Sequence, residues 1–380
     1  MTPAARIQAA IIILDRILDG DPAEKALLRW SRASRFAGSG DRAAVRDLVF
    51  DSLRRLQSRA ALGGAMTGRG LMLGMCRDEG RDPQSLFTGQ GHAPAALSAE
   101  ELAPPEAAAT LDLPAWIMPA WNAALGDLAA PVAMAMRERA PVWLRVNTLR
   151  ASPAEAAAAL AAGQIETSPH PELPTALCVQ SGARRLAASA AYRDGLVELQ
   201  DLSPQLACSF LPAHGSLLDY CAGGGGKALA LAARGLAPVT AHDVDAGRMA
   251  DLPARAARAG ARIAIAAPGQ VSGQFDLVVA DVPCSGSGTW RRTPDAKWRL
   301  TEAGLARLVT LQALILDQTA AMVRPGGALA YMTCSLLRVE NQSQTEAFLQ
   351  RNPDFESVEQ RLFTPLDASD GFYLCHLRRR

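Results

Sequence analysis

Two cysteines stand at the ends of apolar runs that are typical of buried β-strands. Cys284 follows Asp281 and Pro283 in "FDLVVADVPC", and Cys334 precedes Ser335 in "ALAYMTCS". A thiol in such a place can be a nucleophile, a metal ligand or a small apolar residue, and a buried cysteine is usually inert. If both strands belong to one sheet, however, both thiols face the cleft at the carboxyl ends of its strands.

Methylation of a pyrimidine would use two thiols and an acid. Addition of a thiolate to carbon 6 of cytosine turns the ring into an enamine, whose carbon 5 can attack a sulfonium methyl group. The carbon 5 proton must then be removed and the thiol eliminated. An acid beside ring N3 would stabilise the charge that builds on addition, and Asp281 is the candidate for it. The residues alone do not decide whether Cys284 or Cys334 attacks.

The cysteine pattern argues against a metal centre. The seven cysteines are scattered, with no CxxC pair and no histidine nearby at ligand spacing. This pattern predicts neither a disulfide framework nor a zinc site, and it favours a reducing compartment. We therefore expect a cytoplasmic protein without a bound metal.

A glycine-rich loop, "LLDYCAGGGGKALALAAR", follows another apolar run. Cys221 and Ala228 break the P-loop pattern, and the dinucleotide pattern also fits poorly, which leaves a cradle for a nucleoside without phosphate or a glycine turn without ligand. Asp219 could bind a charged amino group, and Asp243 at the end of the next strand could accept hydrogen bonds from ribose hydroxyls. Asp245 competes for the ribose role but is expected to cap the following helix. The residues assigned to a cofactor are Asp219, Cys221, Ala222, Gly223, Gly224, Gly225, Gly226, Lys227, Asp243, Arg248 and Asp281.

Two basic stretches are candidates for nucleic-acid contacts. The residues after Cys284, "SGSGTWRRTPDAKWRL", combine cations that bind phosphates with indoles that stack on bases, although both tryptophans could instead pack beneath a loop. The helical N-terminus carries an arginine-rich face, although such a face could simply be solvated, with pairs such as Asp51 to Arg55. The residues assigned to RNA are Arg35, Arg42, Arg46, Trp290, Arg291, Arg292, Lys297 and Arg299.

The elements that position these residues follow from the hydrophobic pattern. From about residue 203 onward, apolar runs alternate with helical stretches at 226–234, 246–259 and 303–323, which predicts an α/β, doubly wound, mostly parallel sheet. A small α+β unit over 113–202 precedes it, with a helix over 152–163 capped by Ser152. Residues 1–80 are predicted to be helical, with Asp41 as an N-cap, and 81–112 to be a connector.

The net charge and the hydropathy pattern bear on two classes of partner, polyanions and membranes. The chain has 39 basic and 38 acidic side chains, so its net charge neither requires nor excludes a polyanionic partner. The apolar run near the N-terminus is far shorter than the roughly 18 residues that span a bilayer. We therefore expect no association with a membrane.

The motifs together resemble the RsmB/Sun-type family of S-adenosylmethionine-dependent RNA cytosine-5 methyltransferases. The matching segments include "RFAGSGDRAAVRDLVFDSLRR", "WLRVNTLR", "GLVELQDLSPQLA", "DYCAGGGGK", "FDLVVADVPCSGSGTWRRTPDAKWRL" and "YMTCSLLRVENQ". The resemblance implies that Cys334 attacks carbon 6, that Cys284 assists product release and that Lys227 lies near the catalytic acid Asp281. It also implies a Rossmann-like methyltransferase domain over 203–380, an antiterminator-like RNA-binding domain at the N-terminus and ribosomal RNA as the partner. We expect a monomer.

Two departures from the family pattern leave an alternative open. The glycine loop has "AGGGGK" where the family usually has Ala-Pro-Gly-Gly-Lys, and no aspartate follows the third strand in "RIAIAAPGQ" to contact adenine. The chain could therefore be an RNA-binding assembly factor with a decayed cofactor site. The retained Asp281, Cys284, Cys334 and Lys227 weigh against that hypothesis. Methylation of an exocyclic amine would need an Asn/Asp-Pro-Pro-aromatic motif where this chain has "DVPC".

Overall fold

The computed structural model describes residues 1–103, 105 and 110–380, so the expected connector over 81–112 lies partly outside the described residues. The chain divides into two compact units. Unit 1 comprises Met1–Asn122, Gly126–Arg139 and Trp290–Leu300, and unit 2 comprises Ala123–Leu125, Ala140–Thr289 and Thr301–Arg380. The segment 290–300, which the sequence placed within a domain over 203–380, therefore belongs to the compact unit built mainly from the N-terminal part of the chain.

Unit 1 is helical. Its α-helices are α1 (Pro3–Leu18), α2 (Ala23–Ala33), α3 (Ser39–Arg54), α4 (Leu56–Gly63), α5 (Gly68–Asp78), α6 (Ala99–Leu102), α7 (Met118–Leu125, whose last three residues fall in unit 2), α8 (Ala129–Ala135) and, from the distant segment, α14 (Pro294–Arg299). Short 3-10 turns lie at Pro83–Ser85, Ala115–Ile117 and Gly126–Leu128. The core includes Ile13 and Leu14 of α1, Leu53 of α3 and Leu71 of α5.

The start of α3 corrects one predicted cap. Gly38 is the N-cap, and Asp41 occupies the third helical position, where its carboxylate accepts a 3.3 Å hydrogen bond from the Gly38 N–H. Asp41 also pairs with the terminal amino group of Met1 at 3.1 Å. A carboxylate in the first turn can satisfy free N–H groups from inside the helix, which the position of "GSGD" alone did not distinguish from an N-cap.

The arginines of α3 and α4 are not all solvated. Arg59 is 2% exposed, and its guanidinium pairs with Glu79 at 3.2 Å. Asp51 pairs with the buried Arg54 one turn along the helix, whereas Arg55, its expected partner, pairs with Asp78 at 2.9 Å. The basic face is therefore partly a set of internal ion pairs.

Unit 2 contains two sheets. The smaller one is antiparallel, with strand order β2-β3-β1-β4. Its strands are β1 (Trp143–Val146), β2 (Glu166–Pro169), β3 (Ala176–Ser181) and β4 (Val197–Leu199), and it carries α9 (Pro153–Ala162), α10 (Ala190–Arg193) and a 3-10 helix at Ala183–Ala188. The predicted cap is confirmed, since the Ser152 hydroxyl accepts the Glu155 N–H at 3.3 Å.

The larger sheet has seven strands in the order β10-β11-β9-β8-β5-β6-β7. They are β5 (Leu217–Asp219), β6 (Val239–His242), β7 (Ile263–Ala266), β8 (Phe275–Asp281), β9 (Val323–Thr333), β10 (Phe355–Phe363) and β11 (Phe372–Arg379). The helices of this part are α11 (Leu202–Ser209), α12 (Gly226–Ala232), α13 (Leu252–Ala259), α15 (Glu302–Ala320) and α16 (Gln342–Arg351), with 3-10 turns at Ala246–Met249 and Arg338–Glu340.

The predicted doubly wound fold is confirmed. Strands β5 to β9 are parallel, and separate apolar clusters cover the two faces of the sheet. The antiparallel edge formed by β10 and β11 was not predicted, and the predicted helix over 246–259 is a 3-10 turn followed by α13. Strand order reverses between β5 and β8, which brings the carboxyl ends of β5, β8 and β9 together at the switch point where ligands bind in such sheets.

Candidate active site

The two cysteines meet beyond the ends of neighbouring strands. β8 and β9 are parallel, with Asp281 opposite Met332, so the turns that follow them emerge side by side. This places Cys284 Sγ 3.3 Å from Cys334 Sγ. The hydrogen bond with Cys334, together with burial, raises the pKa of the Cys284 thiol well above its ordinary value. The raised pKa favours the protonated form of Cys284, and either thiol can donate the hydrogen bond that joins the two sulfurs.

Asp281 forms an ion pair with Lys227. Asp281 is the last residue of β8, and Lys227 lies in the first turn of α12, after the glycine loop. Burial alone would lower the pKa of the lysine, but the charge and hydrogen bond of Asp281 outweigh it and raise the pKa above its ordinary value. The ammonium group also lies 5.3 Å from the centre of the Phe372 ring. Lys227 is therefore a fixed cation against one side of the acid.

Two positions of the glycine loop favour glycine. Gly223 and Gly225 have positive φ angles of 49° and 77°, a region that side chains rarely adopt. A Cβ at Gly225 would lie 2.2 Å from a methyl group of Leu252. The Gly223 N–H donates to Asp243 at 2.9 Å, which ties the loop to the end of β6. The loop is thus a backbone cradle beside the ends of β5 and β6.

Two buried carboxylates flank this loop. Asp219 accepts the Ala228 N–H at 2.9 Å through Oδ2, and among the described residues its buried Oδ1 has no hydrogen-bond partner. Burial raises the pKa of Asp219 to about 7. Asp243 is 1% exposed and also accepts the Asp245 N–H at 3.0 Å. The Asp245 side chain accepts the Gly247 N–H at 2.9 Å, as expected for a helix cap.

Comparison with known proteins agrees with this architecture. The sequence model of the 16S rRNA methyltransferase RsmB/F family matches residues 211–376, and that of the RsmF/B-like ferredoxin-like domain matches residues 113–184. Ribosomal RNA small subunit methyltransferase B of Vibrio cholerae is 31% identical over 359 residues, which are 87% of this chain and 79% of that protein. The chain belongs to the RsmB/F methyltransferase family. The resemblance inferred from its motifs is thereby confirmed.

Other comparisons support the same family and fold. Ribosomal RNA small subunit methyltransferase B of Klebsiella pneumoniae is 34% identical to this chain over 285 residues. The alignment covers 70% of this chain and 66% of that protein. The solved structure of PH0851 superposes with a TM-score of 0.77 at 21% identity and covers 100% of this chain and 99% of its own. Among the described residues, no helix is long and apolar enough to span a membrane. The same residues contain no cluster of metal-ligating side chains.

S-adenosylmethionine is the cofactor of this methyltransferase family, and the site fits it. Asp219 Oδ1, for which the described part of the chain offers no partner, can accept a hydrogen bond from the amino group of its methionine part, and the backbone of the glycine loop allows close approach. Asp243 can accept from ribose hydroxyls only by sharing oxygens that already receive backbone N–H groups and the Arg248 guanidinium, which lies 3.2 Å away. Beyond β7, residues 267–270 are Ala-Pro-Gly-Gln, with no carboxylate for the adenine.

The structure corrects part of the expected RNA contacts. Within unit 1, Trp290 is 1% exposed and its ring stacks on Trp121 at 6.1 Å between centroids. Lys297 is 2% exposed, and its ammonium group donates to the Arg54 carbonyl at 3.2 Å. Arg291 is buried, and its carbonyl accepts from Arg54 at 2.6 Å. All three residues are buried in the structure, so their side chains do not face the solvent, from which RNA would bind.

The other RNA candidates lie at the surface. Arg46 pairs with Glu24 at 3.2 Å and lies 5.3 Å from the Phe50 ring, while Arg299 is only loosely paired, 3.9 Å from Asp295. The exposed candidates are Arg35, Arg42, Arg46, Arg292 and Arg299. They remain surface cations that could reach a phosphate.

Residues that the sequence did not single out complete the two cysteine turns. The Gly288 N–H donates to the Cys334 carbonyl at 2.9 Å, and the Gly288 carbonyl accepts the Gly371 N–H at 2.9 Å. A Cβ at Gly288 would lie 2.2 Å from the Gly371 carbonyl oxygen. Glu340 accepts hydrogen bonds from both turns. The run "SLLRVENQ" gave a signal only as part of the family motif, because these contacts join residues far apart in the chain.

Proposed function

We propose that this chain transfers a methyl group from S-adenosylmethionine to carbon 5 of a cytosine in structured RNA, through a covalent adduct at Cys334. The observation that carries the proposal is the 3.3 Å separation of Cys284 Sγ and Cys334 Sγ beyond the end of the strand that bears Asp281. The curated relatives are named ribosomal RNA small subunit methyltransferase B, which favours ribosomal RNA of the small subunit as the substrate.

The reaction begins with addition to the ring. The Cys334 thiolate forms a bond to carbon 6, and the electrons of the carbon 5–carbon 6 double bond move toward ring N3. In this proposal Asp281 faces N3, takes a proton from the Lys227 ammonium group and donates it to N3, so that charge does not accumulate on the ring. Lys227 holds Asp281 in place and supplies a positive charge beside it. The product of this step is an enamine with a nucleophilic carbon 5.

Product release uses the second thiol. S-adenosylmethionine supplies the methyl group as an electrophile. A base then takes the carbon 5 proton, the electrons of that C–H bond restore the double bond, and the bond between sulfur and carbon 6 breaks. Because the pKa of Cys284 is raised, its thiol keeps a proton to share with the sulfur that leaves as a thiolate. Cys284 thus assists release of the methylated base.

The remaining chain binds and presents RNA in this proposal. Residues 1–80 form the RNA-binding domain, 81–112 the connector, 113–202 an RNA-recognition subdomain and 203–380 the methyltransferase domain, from which 290–300 departs to pack in unit 1. The surface arginines Arg35, Arg42, Arg46, Arg292 and Arg299 contact phosphates. The protein acts as a cytoplasmic monomer without a metal.

Nucleoside analysis of methylated RNA tests the activity. Purified protein, S-adenosylmethionine and small-subunit RNA from a deletion strain are incubated, and the RNA is digested and examined by mass spectrometry. We expect 5-methylcytidine at one position, which bisulfite sequencing locates. Methylation on another atom, or the absence of methylation with every RNA fraction, would overturn the proposal.

One observation favours a second candidate, an RNA-binding assembly factor with a decayed cofactor site. No carboxylate follows β7, where the family usually places one for adenine. Calorimetry with S-adenosylmethionine separates the two functions. We expect saturable binding, whereas no heat at millimolar ligand, together with RNA binding, would favour the assembly factor.

A further inference from the structure

A fully buried carboxylate lies between the two cysteine turns. Glu340 ends the 3-10 turn that follows β9 and is 0% exposed. Its Oε1 accepts the Ser285 N–H at 2.8 Å and the Gln312 side-chain NH₂ at 2.9 Å. Its Oε2 accepts from the hydroxyls of Ser285 and Ser335. One carboxylate therefore receives four hydrogen bonds.

Three of these four donors belong to the residues that follow each thiol. Ser285 directly follows Cys284, and Ser335 directly follows Cys334. The Ser287 hydroxyl adds a second link, because it lies 3.0 Å from Ser335 Oγ and accepts the Leu336 N–H at 2.8 Å. The two turns are thus joined through buried polar groups and not only through the thiols themselves.

The fourth donor fixes the first turn from the other side. Gln312 lies on α15 and is 0% exposed. Its NH₂ group donates to the Pro283 carbonyl at 2.9 Å as well as to Glu340. The residues immediately before and after Cys284 are therefore both held by this pair.

We propose that Glu340 is a positioning residue that sets the spacing between Cys284 and Cys334. The Oε2 oxygen of Glu340 accepts from both turns, and hydrogen bonds to a charged group are stronger than neutral ones. Without it, buried N–H and hydroxyl groups lose their acceptor, and the turns must shift to find others. The consequence for methylation rests on the function proposed above, whereas the spacing itself does not.

Disulfide cross-linking measures the spacing without RNA or cofactor. Diamide oxidises the two thiols: two S–H bonds break, one S–S bond forms, and both hydrogens and two electrons pass to the N=N bond of diamide. The sulfurs need to close only from 3.3 Å to about 2.0 Å, so we expect fast formation in the intact protein. Glu340→Gln should slow it roughly fivefold and Glu340→Ala more than tenfold, because the turns are held less firmly. Peptide mapping identifies the Cys284–Cys334 bond.

Matched controls separate positioning from folding. Glu346→Gln removes a carboxylate that is 54% exposed and pairs with Arg338, and it should leave cross-linking and methylation unchanged. Thermal melts establish that each variant is folded. If both Glu340 variants fail to fold, Ser285→Ala removes one hydroxyl donor and should still slow cross-linking by two- to threefold.

Methylation rates complete the test. Under single-turnover conditions the folded Glu340 variants should lose rate in the same order as they lose cross-linking, with unchanged KM for RNA. If the folded Glu340 variants cross-link as fast as the intact protein, the proposal is overturned, whether or not their methylation rate falls. Slower cross-linking in variants of a protein that methylates no RNA would leave the positioning role standing and refute the proposed function instead.

Discussion

Replacement of Trp290 by alanine should lower the stability of unit 1 and leave its affinity for RNA nearly unchanged. Trp290 is 1% exposed and stacks on Trp121 at 6.1 Å, so the variant leaves a cavity and loses a ring contact. Truncation of a buried aromatic residue costs about 3–5 kcal/mol. Total stabilities of domains are about 5–15 kcal/mol, so the loss is a large share. The melting temperature should fall by roughly 6–20 °C at about 2–4 °C per kcal/mol.

Urea denaturation followed by circular dichroism measures this loss, with Arg299→Ala as the control. Arg299 lies in the same segment, but its side chain is 56% exposed, and its replacement should change stability by less than about 0.5 kcal/mol. RNA affinity, measured below the melting temperature of the variant, should stay within twofold for Trp290→Ala. A loss of stability under about 1 kcal/mol, accompanied by a large loss of RNA affinity, would show that the ring is an RNA contact after all.

Three further predictions concern buried groups. Burial lowers the pKa of Lys297 from 10.5 to about 7, so the unfolded chain binds more protons above pH 7, and stability should rise by about 2 kcal/mol from pH 7 to 9 in urea melts. Lys297→Met should abolish that rise. If the stability of this variant still rose with pH as in the intact protein, the role given to Lys297 would be refuted. The pKa of Asp219 is about 7, so its ionised fraction falls roughly fifteenfold from pH 7 to 5.5, while the amino group of the cofactor stays protonated. Calorimetry should show the affinity for the cofactor falling by the same factor. Asp219→Asn should make that affinity nearly independent of pH. Gly288→Ala puts a Cβ 2.2 Å from the Gly371 carbonyl oxygen, and the displaced turn should slow methylation by about 100-fold, whereas a near-normal rate would mean that the two turns move apart freely.

The sequence predicted the part of the fold that local patterns determine. The interior of β8, "LVVA", and the second half of β9, "ALAYM", are continuous apolar runs, because strands buried on both faces need apolar side chains. β10 was missed, since "FESVEQRLF" is a mixed edge strand with charged residues that give no clear period, and β11 was missed although it begins with the apolar run "FYLC". Their place beside β9 depends on pairing with the rest of the sheet.

The candidate site, like the fold, could be predicted only where local sequence patterns determine it. The proximity of Cys284, Cys334 and Asp281 could be predicted because each lies at or just beyond the end of an apolar strand, and strand ends in a parallel sheet gather at one edge. Trp290 and Lys297 were assigned to RNA and not to the interior of the helical unit, because their partners Trp121 and Arg54 are far away in the chain and residue type alone cannot reveal such contacts. Glu340 was overlooked for the same reason.

Covalent trapping with the two cysteine variants tests the central claim most directly. Each variant is incubated with S-adenosylmethionine and the RNA that the intact protein methylates, and adducts are detected on denaturing gels. Cys284→Ala should accumulate a covalent protein–RNA adduct, because Cys334 still attacks but its release is no longer assisted. Cys334→Ala should form none. An adduct with Cys334→Ala and none with Cys284→Ala would contradict the roles proposed for the two thiols.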